Sequence, residues 1–440
     1  MLVKKKVAFV SVLNILTVSS YCIISEMNNF TILLTAFCII ITFLCMRPRY
    51  LLHPNNIVFA YFCCYLVLAP SIFVIYSYFN IQHVLAWSIP DFIDISKFVY
   101  LDMLLVFYVL FYSFYYFLNN IEIDAKFNYE VSKKNIGLLL IIFMFVLVIF
   151  IFLSGGLLWL QNYKEAYLIG RKGLGLLSLA IIFLSILLAF LLGIRDFGST
   201  KRRNHYFVIL SIIFIVFISI FQGFKGKLII LLLFYFFPLL FNIEISLKKI
   251  LLIGIFGALF FYITNYIRSN GYYSTPQASL EYIMTYFNVL NLQNLLVHNY
   301  SPGFFNIDYS FLMKYTNILG ITTNANFDLS VMLTKEFFPN QWLSYGATQQ
   351  WPITADLYMN YYGMTLGWIP LLIYSYIISF IYKKFSQGNL MWGFIYLYEF
   401  VLIFSTLRSV FIPWNIIIVI LFFLVCNIVF KYSVRRDYTL

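Results

Sequence analysis

An all-α polytopic membrane protein, with about twelve transmembrane helices and one long extracytoplasmic loop, is the fold class this sequence predicts. Composition is the first reason. Of 440 residues 62% are hydrophobic and 10% charged, with a mean hydropathy of +0.89, more apolar surface than a soluble domain could bury. The second reason is spacing: twelve apolar stretches approach the ~20 residues that a bilayer core requires of a helix. Lipid offers the backbone no hydrogen-bonding partner, so such stretches span as helices. The third is asymmetry, because 95 polar and aromatic residues, Arg268 to Tyr362, separate the ninth stretch from the tenth.

The first span, 7–25, follows Lys4, Lys5 and Lys6 and has no convincing small-residue cleavage site after it, which marks a retained signal anchor. Spans 30–46 and 57–78 flank Arg47 and Arg49, and a moderate loop, 79–97, leads to span 98–118, which carries Asp102. Span 136–154 is almost uninterrupted hydrocarbon, and loop 155–173 joins it to span 174–194. Spans 206–222 and 228–241 are separated by the turn Gly223-Phe224-Lys225-Gly226-Lys227, and span 251–267 ends at Arg268. Spans 363–381, 390–407 and 412–430 complete the set, with Glu399 inside the eleventh. Three regions result: helices 1–9 over 1–267, the loop over 268–362, and the last three helices with a tail over 363–440.

An even number of spans puts both termini on one side. That side also holds Lys4, Lys5, Lys6, Arg47, Arg49, Lys126, Lys133, Lys134, Arg195, Lys201, Arg202, Arg203, Lys248, Lys249, Lys383, Lys384, Lys431, Arg435 and Arg436, which are 19 of the 29 basic residues. By the positive-inside rule it is cytoplasmic, and the long loop is extracytoplasmic. The net charge of +12 is then met by anionic lipid, with no call for nucleic acid.

All six cysteines (Cys22, Cys38, Cys45, Cys63, Cys64, Cys426) lie in or at the ends of spans, which argues against disulfides or thiolate metal sites in the loop. The four histidines (His53, His83, His205, His298) show no ligand spacing, and no nucleotide or dinucleotide motif is present, so neither metal nor cofactor is expected. Internal symmetry, the usual sign of a transporter, is absent from the sequence. Within the long loop, Leu280, Ile283, Met284, Phe287 and Leu290 recur at helical spacing after Pro276, which predicts one amphipathic helix over Ala278–His298. A break at Ser301-Pro302-Gly303 follows, then an apolar piece, Phe304–Leu319, and a looser stretch to Trp351-Pro352.

Only ten cations fall on the loop side. Arg171 and Lys172 end the third outer loop, Lys225 and Lys227 form the charge of a glycine-flanked turn, and Arg268 and Arg408 stand at the outer ends of the ninth and eleventh spans. Taken singly, each is equally explained by snorkelling to headgroups or by capping a helix C-terminus. Taken together they bring positive charge and free amide groups to one interfacial level, which suits a lipid-linked diphosphate.

Four segments give the chain a resemblance to a family. Phe221-Gln222-Gly223-Phe224-Lys225-Gly226-Lys227 lies where members carry a Gly-Ser-Arg or Gly-Ser-Lys turn before a span. Asn265-Tyr266-Ile267-Arg268 opens the long loop, Thr354-Ala355-Asp356-Leu357-Tyr358-Met359-Asn360-Tyr361-Tyr362-Gly363 with Gly367 closes it, and Thr406-Leu407-Arg408-Ser409 precedes the final span. In these features and in its topology the chain resembles the Wzy-type O-antigen or oligosaccharide repeat-unit polymerases and, more distantly, the O-antigen ligases. It departs in having Asp356 where many members have Glu and lysine at 225 and 227 where arginine is common; lysine keeps the charge but loses bidentate geometry.

The resemblance implies a GT-C-like architecture, a place in the bacterial inner membrane with both termini cytoplasmic, and glycosyl transfer between undecaprenyl diphosphate-linked glycans. A chain-length regulator and a flippase are implied as further partners. Arg171, Lys172, Lys225, Lys227, Arg268 and Arg408 would then stabilise the departing diphosphate. Asp356 ranks first and His298 second as the base for the acceptor hydroxyl, while Glu281, Asp308, Asp328 and Glu336 read as solvated loop charges. Asp102 and Glu399 are expected to make structural hydrogen bonds, although a charge within a span is also what a flippase or exporter of lipid-linked glycan would need. A non-catalytic scaffold would have fewer spans and a larger soluble domain.

Overall fold

The computed structural model describes residues 2–84, 91–118, 121–123, 129–161, 165–166, 170, 173–198, 205–222, 225–268, 275–305, 329–345, 348–411 and 416–436. Helices α1 (Leu2–Ile23) and α2 (Asn29–Met46) form a hairpin whose turn is set by Asn28, which accepts a hydrogen bond from the Thr31 amide. Apolar surface alone gives helices no reason to associate in lipid, so polar side chains join them. Asn14 Nδ2 donates to Thr42 Oγ1 at 3.0 Å and to the Tyr112 hydroxyl at 2.9 Å.

Helix α3 (Pro54–Phe62) starts with proline at its first turn and with His53 Nδ1 accepting from the Asn55 amide. Burial pushes the His53 imidazole down to about 3, so it stays neutral and keeps that acceptor. A π-helical stretch, Cys63–Leu68, carries α3 into α4 (Ala69–Phe79), making one candidate span of 26 residues. Pro70 accounts for the widening, because its ring crowds the carbonyl four residues back and it has no N–H to donate. The Ala69 amide reaches instead to the Cys64 carbonyl, five residues back.

The chain continues through α5 (Lys97–Leu118), β1 (Tyr129–Val131), α6 (Lys133–Leu153), the single turn α7 (Leu158–Gln161) and α8 (Gly175–Phe197). Next come α9 (His205–Ile220), α10 (Lys225–Leu240) and α11 (Leu247–Arg268). Four short helices, α12 (Pro276–Tyr286), α13 (Val289–Asn299), α14 (Leu329–Phe337) and α15 (Pro339–Tyr345), precede α16 (Ile353–Tyr361). Finally α17 (Met364–Ser386), α18 (Leu390–Leu407) and α19 (Ile416–Ser433) lead to β2 (Val434–Arg436).

Over the described residues, each of the twelve apolar stretches falls mainly on helix. Among the described residues eight helices are long and apolar enough to cross a membrane, and His205–Ile220, Gly226–Leu240 and Ile417–Ser433 are shorter apolar ones. Helix α11 exposes Leu251, Leu252, Ile253, Ile255, Phe256 and Leu259 around its circumference, a pattern that only a hydrocarbon environment tolerates.

Helices α8 and α10 pack closely. A Cβ placed on Gly193 would lie 2.1 Å from the Tyr235 carbonyl oxygen, so only glycine permits this approach. We expect Gly193→Val to separate the pair and lower the melting temperature of the detergent-purified protein, since overpacking typically costs about 1–3 kcal/mol and here the obstruction is backbone. An unchanged melt would mean that the helices shift without cost.

At one end of the bundle Asp196 Oδ2 accepts from Tyr235 at 2.8 Å and from Ser211 at 2.9 Å, while Arg195 holds Asp196 Oδ1 at 2.7 Å. This network ties α8, α9 and α10 together. At the same end β1 and β2 pair antiparallel, with Tyr129 opposite Arg436, an addition to the expected all-α fold.

The other end carries α12–α16, and here the sequence expectations need correction. Ala278–His298 is two helices, not one: α12 stops at Tyr286, and Asn288 restarts the chain by accepting from the Asn291 amide. Glu281 is no solvated loop charge. It is 0% exposed, its Oε1 accepting from the Val84 amide at 3.0 Å and from Gln277 Nε2 at 3.1 Å, with His83 Nδ1 at 3.9 Å. These contacts hold α12 against the segment that follows α4. Most of the piece Phe304–Leu319 lies outside the described residues, as do Asp308 and Asp328.

Candidate functional site

The sequence motif ending at Gly363 folds as a separate short helix, α16, sunk into the loop-bearing end of the bundle. Ile353, Thr354, Ala355, Asp356, Leu357, Met359 and Asn360 are all buried. Trp351, at its start, is fully buried and donates through Nε1 to Thr334 Oγ1 at 3.3 Å. Thr354 Oγ1 lies 3.5 Å from Met103 Sδ on α5, and Gln293 Nε2 of α13 is 3.5 Å from the Thr354 carbonyl. Tyr362 in the left-handed region (φ 56°) ends the helix. Gly303, itself at φ 74°, lies against the Tyr362 ring and gives its N–H to the Tyr358 carbonyl at 2.8 Å.

Asp356 is 6% exposed and both its oxygens are engaged. Oδ1 accepts from Asn360 Nδ2 at 2.7 Å, and Oδ2 accepts from the Phe411 amide at 3.2 Å. The second bond fixes the turn after α18, which carries Arg408 three residues earlier. On the opposite face of α16, the Tyr358 hydroxyl donates to the Tyr300 carbonyl at 2.9 Å. Burial, with the Asp102 carboxylate nearby, pushes the Tyr358 phenol up.

Arg408 caps α18 with its backbone N–H on the Ser405 carbonyl, and its side chain turns inward. The guanidinium carbon lies 5.7 Å from the centre of the Phe404 ring, which meets Tyr61 edge-on at 5.4 Å. Tyr61 and Tyr65, four residues apart on one face, have ring centres 4.5 Å apart. Both hydroxyls and the Cys64 thiol are within electrostatic reach of Arg408. The Tyr65 hydroxyl donates to Gln350 Oε1 at 3.3 Å, which links the π-helical stretch to the residue before Trp351.

Position makes this cation unusual. Tyr65 is fourteen residues from Phe79, the end of α4, so at 1.5 Å per residue the tyrosines that face Arg408 lie about 20 Å down that helix from its loop-bearing end. Among the described residues no carboxylate forms an ion pair with Arg408, and its Nε is buried without a hydrogen-bond partner. A half-buried cation whose Nε is sealed from solvent in this way suits an anion.

The other cations from the sequence are resolved unequally. Arg171 and Lys172 lie outside the described residues, and for Lys225 and Arg268 only the backbone is described, in the first turn of α10 and the last turn of α11. Lys227 is half-buried near the start of α10, and Phe234 of that helix meets Phe394 of α18 at 5.4 Å. Lys227 and Arg408 thus lie on the same side of that contact, about 10 and 20 Å along their helices.

His298 is exposed in the last turn of α13, its Nδ1 on the Asn294 carbonyl of its own helix at 2.7 Å; no contact among the described residues joins it to Asp356 or Arg408. Glu336 is exposed and accepts from the Tyr300 hydroxyl. Contrary to expectation, Asp102 and Glu399 make no hydrogen bond among the described residues: Asp102 faces Tyr358 and Gly363, and Glu399 lies near Tyr374 and Tyr398.

Tyr61 and Tyr65 were missed because tyrosine is abundant in this chain, and Gln350 because no motif marks it; Pro70 inside an apolar span is the signal that could have pointed to the two tyrosines. No protein-family model matches the chain, and no curated protein and no solved structure is similar to it.

Proposed function

We propose that the protein is a glycosyltransferase that polymerises undecaprenyl diphosphate-linked oligosaccharide repeat units. The observation that carries this reading is Arg408, an inward-facing cation with no carboxylate partner among the described residues, in the turn that the buried Asp356 holds. The twelve helical stretches act as twelve spans in a GT-C-like arrangement in a bacterial inner membrane, with both termini cytoplasmic and residues 268–362 outside.

In this reading the acceptor sugar hydroxyl attacks the anomeric carbon of the donor glycan. The carbon–oxygen bond to the diphosphate breaks, and its electron pair leaves on the phosphate oxygen. Arg408 meets that growing charge, with Lys227, Lys225, Arg268, Arg171 and Lys172 drawing the headgroup in; water-poor surroundings strengthen the attraction. Asp356 takes the hydroxyl proton, its orientation set by Asn360 and the Phe411 amide. His298, exposed and apart, is the lesser candidate.

Glu399, within α18 and without a hydrogen bond among the described residues, favours a second reading, a flippase or exporter of lipid-linked glycan. Purified protein given lipid-linked repeat units in detergent separates the two, since sidedness is absent there. A ladder of longer glycans is expected from a polymerase; unchanged repeat units would reject polymerisation.

A further inference from the structure

Tyr61 is 0% exposed, and its hydroxyl has no hydrogen-bond partner among the described residues. A buried hydroxyl normally finds a partner; Tyr61 differs from Tyr108 and Tyr382, whose hydroxyls are also unpaired among the described residues, in lying within electrostatic reach of an arginine. The same holds for Arg408 Nε, and the two groups belong to one cluster, bridged by the Phe404 ring. Both can donate, and among the described residues no carboxylate pairs with either. The Tyr61 oxygen could accept from the Arg408 Nε–H, but the two are not bonded to each other, and one acceptor oxygen, best an anionic one, would satisfy both donors.

We propose that Tyr61 is a ligand-binding residue of this site, its hydroxyl and Arg408 Nε together taking one phosphoryl oxygen of a diphosphate. This rests on the lipid diphosphate of the proposed function, but it extends the site to the wall of the bundle formed by α3 and the π-helical stretch. Arginine supplies charge and tyrosine supplies direction, so the pair distinguishes an oxygen held at the recessed position from an anion resting at the rim. Tyr65 differs, because its hydroxyl is committed to Gln350 and so serves the loop.

The test uses the full chain in detergent, inorganic pyrophosphate as probe, and three variants: Tyr61→Phe, Arg408→Ala and Tyr108→Phe. Tyr108 is a control, a buried hydroxyl also without a partner but grouped with Tyr21, Cys38 and Tyr112, away from Arg408. Pyrophosphate is expected to raise the melting temperature of the wild type and of Tyr108→Phe, and to leave Arg408→Ala unmoved. For Tyr61→Phe about tenfold more pyrophosphate is expected for the same rise, the worth of one hydrogen bond to a charged group.

Without pyrophosphate, Tyr61→Phe should melt no lower than the wild type, since it removes only a hydroxyl that no group among the described residues uses. A lower melt for Tyr61→Phe alone would show a structural role and overturn the proposal. Wild-type sensitivity to pyrophosphate in Tyr61→Phe would overturn it too, as would a wild type that pyrophosphate does not stabilise. If pyrophosphate binding depends on Tyr61 while no glycan ladder forms, the site stands and the polymerase reading falls.

Discussion

Arg408→Ala is expected to lower the rate of glycan chain growth by about 10²-fold or more, the usual effect of removing one preorganised donor from a developing negative charge. Its expression and elution profile should stay as in the wild type. Folding does not depend on the side chain, since α18 is capped by the backbone N–H of residue 408 on the Ser405 carbonyl. Arg408→Lys should retain part of the activity, because the charge remains while the planar, directional donor set is lost. Initial rates of ladder formation by the two purified variants check this, and a wild-type rate in the alanine variant would take the cation out of the reaction.

The second large effect is expected at Asp356. Asp356→Asn keeps an oxygen that can accept from the Phe411 amide, so the turn carrying Arg408 stays in place. It removes the capacity to take a proton, and chain growth should fall by roughly 10²–10⁴-fold. Asp356→Ala loses both properties and should also loosen residues 408–411, visible as faster amide hydrogen exchange there. Equal rates for Asp356→Asn and the wild type would assign the carboxylate a purely positioning role and move the base elsewhere. That comparison matters because both carboxylate oxygens are already hydrogen-bonded within the protein.

Hydropathy located the helices well: the stretch 390–407 coincides with α18, and the others differ from their helices mostly by a few residues at the ends. Apolar length is a local property, and lipid enforces it helix by helix. What followed from tertiary packing was less legible. Periodicity joined α12 to α13 because both helices bury the same face, and only the local capping by Asn288 divides them. Glu281 looked like a solvated charge, since nothing nearby in sequence announces that Val84, Gln277 and His83 will surround it.

The candidate site was legible in part. Arg408 and Asp356 were picked out by their places at the end of a span and in a loop-closing motif, and the structure sets them on either side of one short turn. The depth of that turn was not foreseeable, because it depends on α16 sinking beside α5 rather than lying at the rim. Tyr61 carried no signal of its own among 36 tyrosines. The π-helical stretch had one, Pro70, whose missing N–H requires some departure from regular helix but does not say which.

Photocrosslinking bears most directly on whether, and where, a diphosphate is held. A lipid diphosphate carrying a photoreactive group beside its phosphates, bound to the wild-type protein and mapped by mass spectrometry, should label residues 61–65, 350 and 404–411. Labels confined to the lipid-facing surface of α11, or to the end of the bundle bearing β1 and β2, would contradict a recessed anion pocket around Arg408.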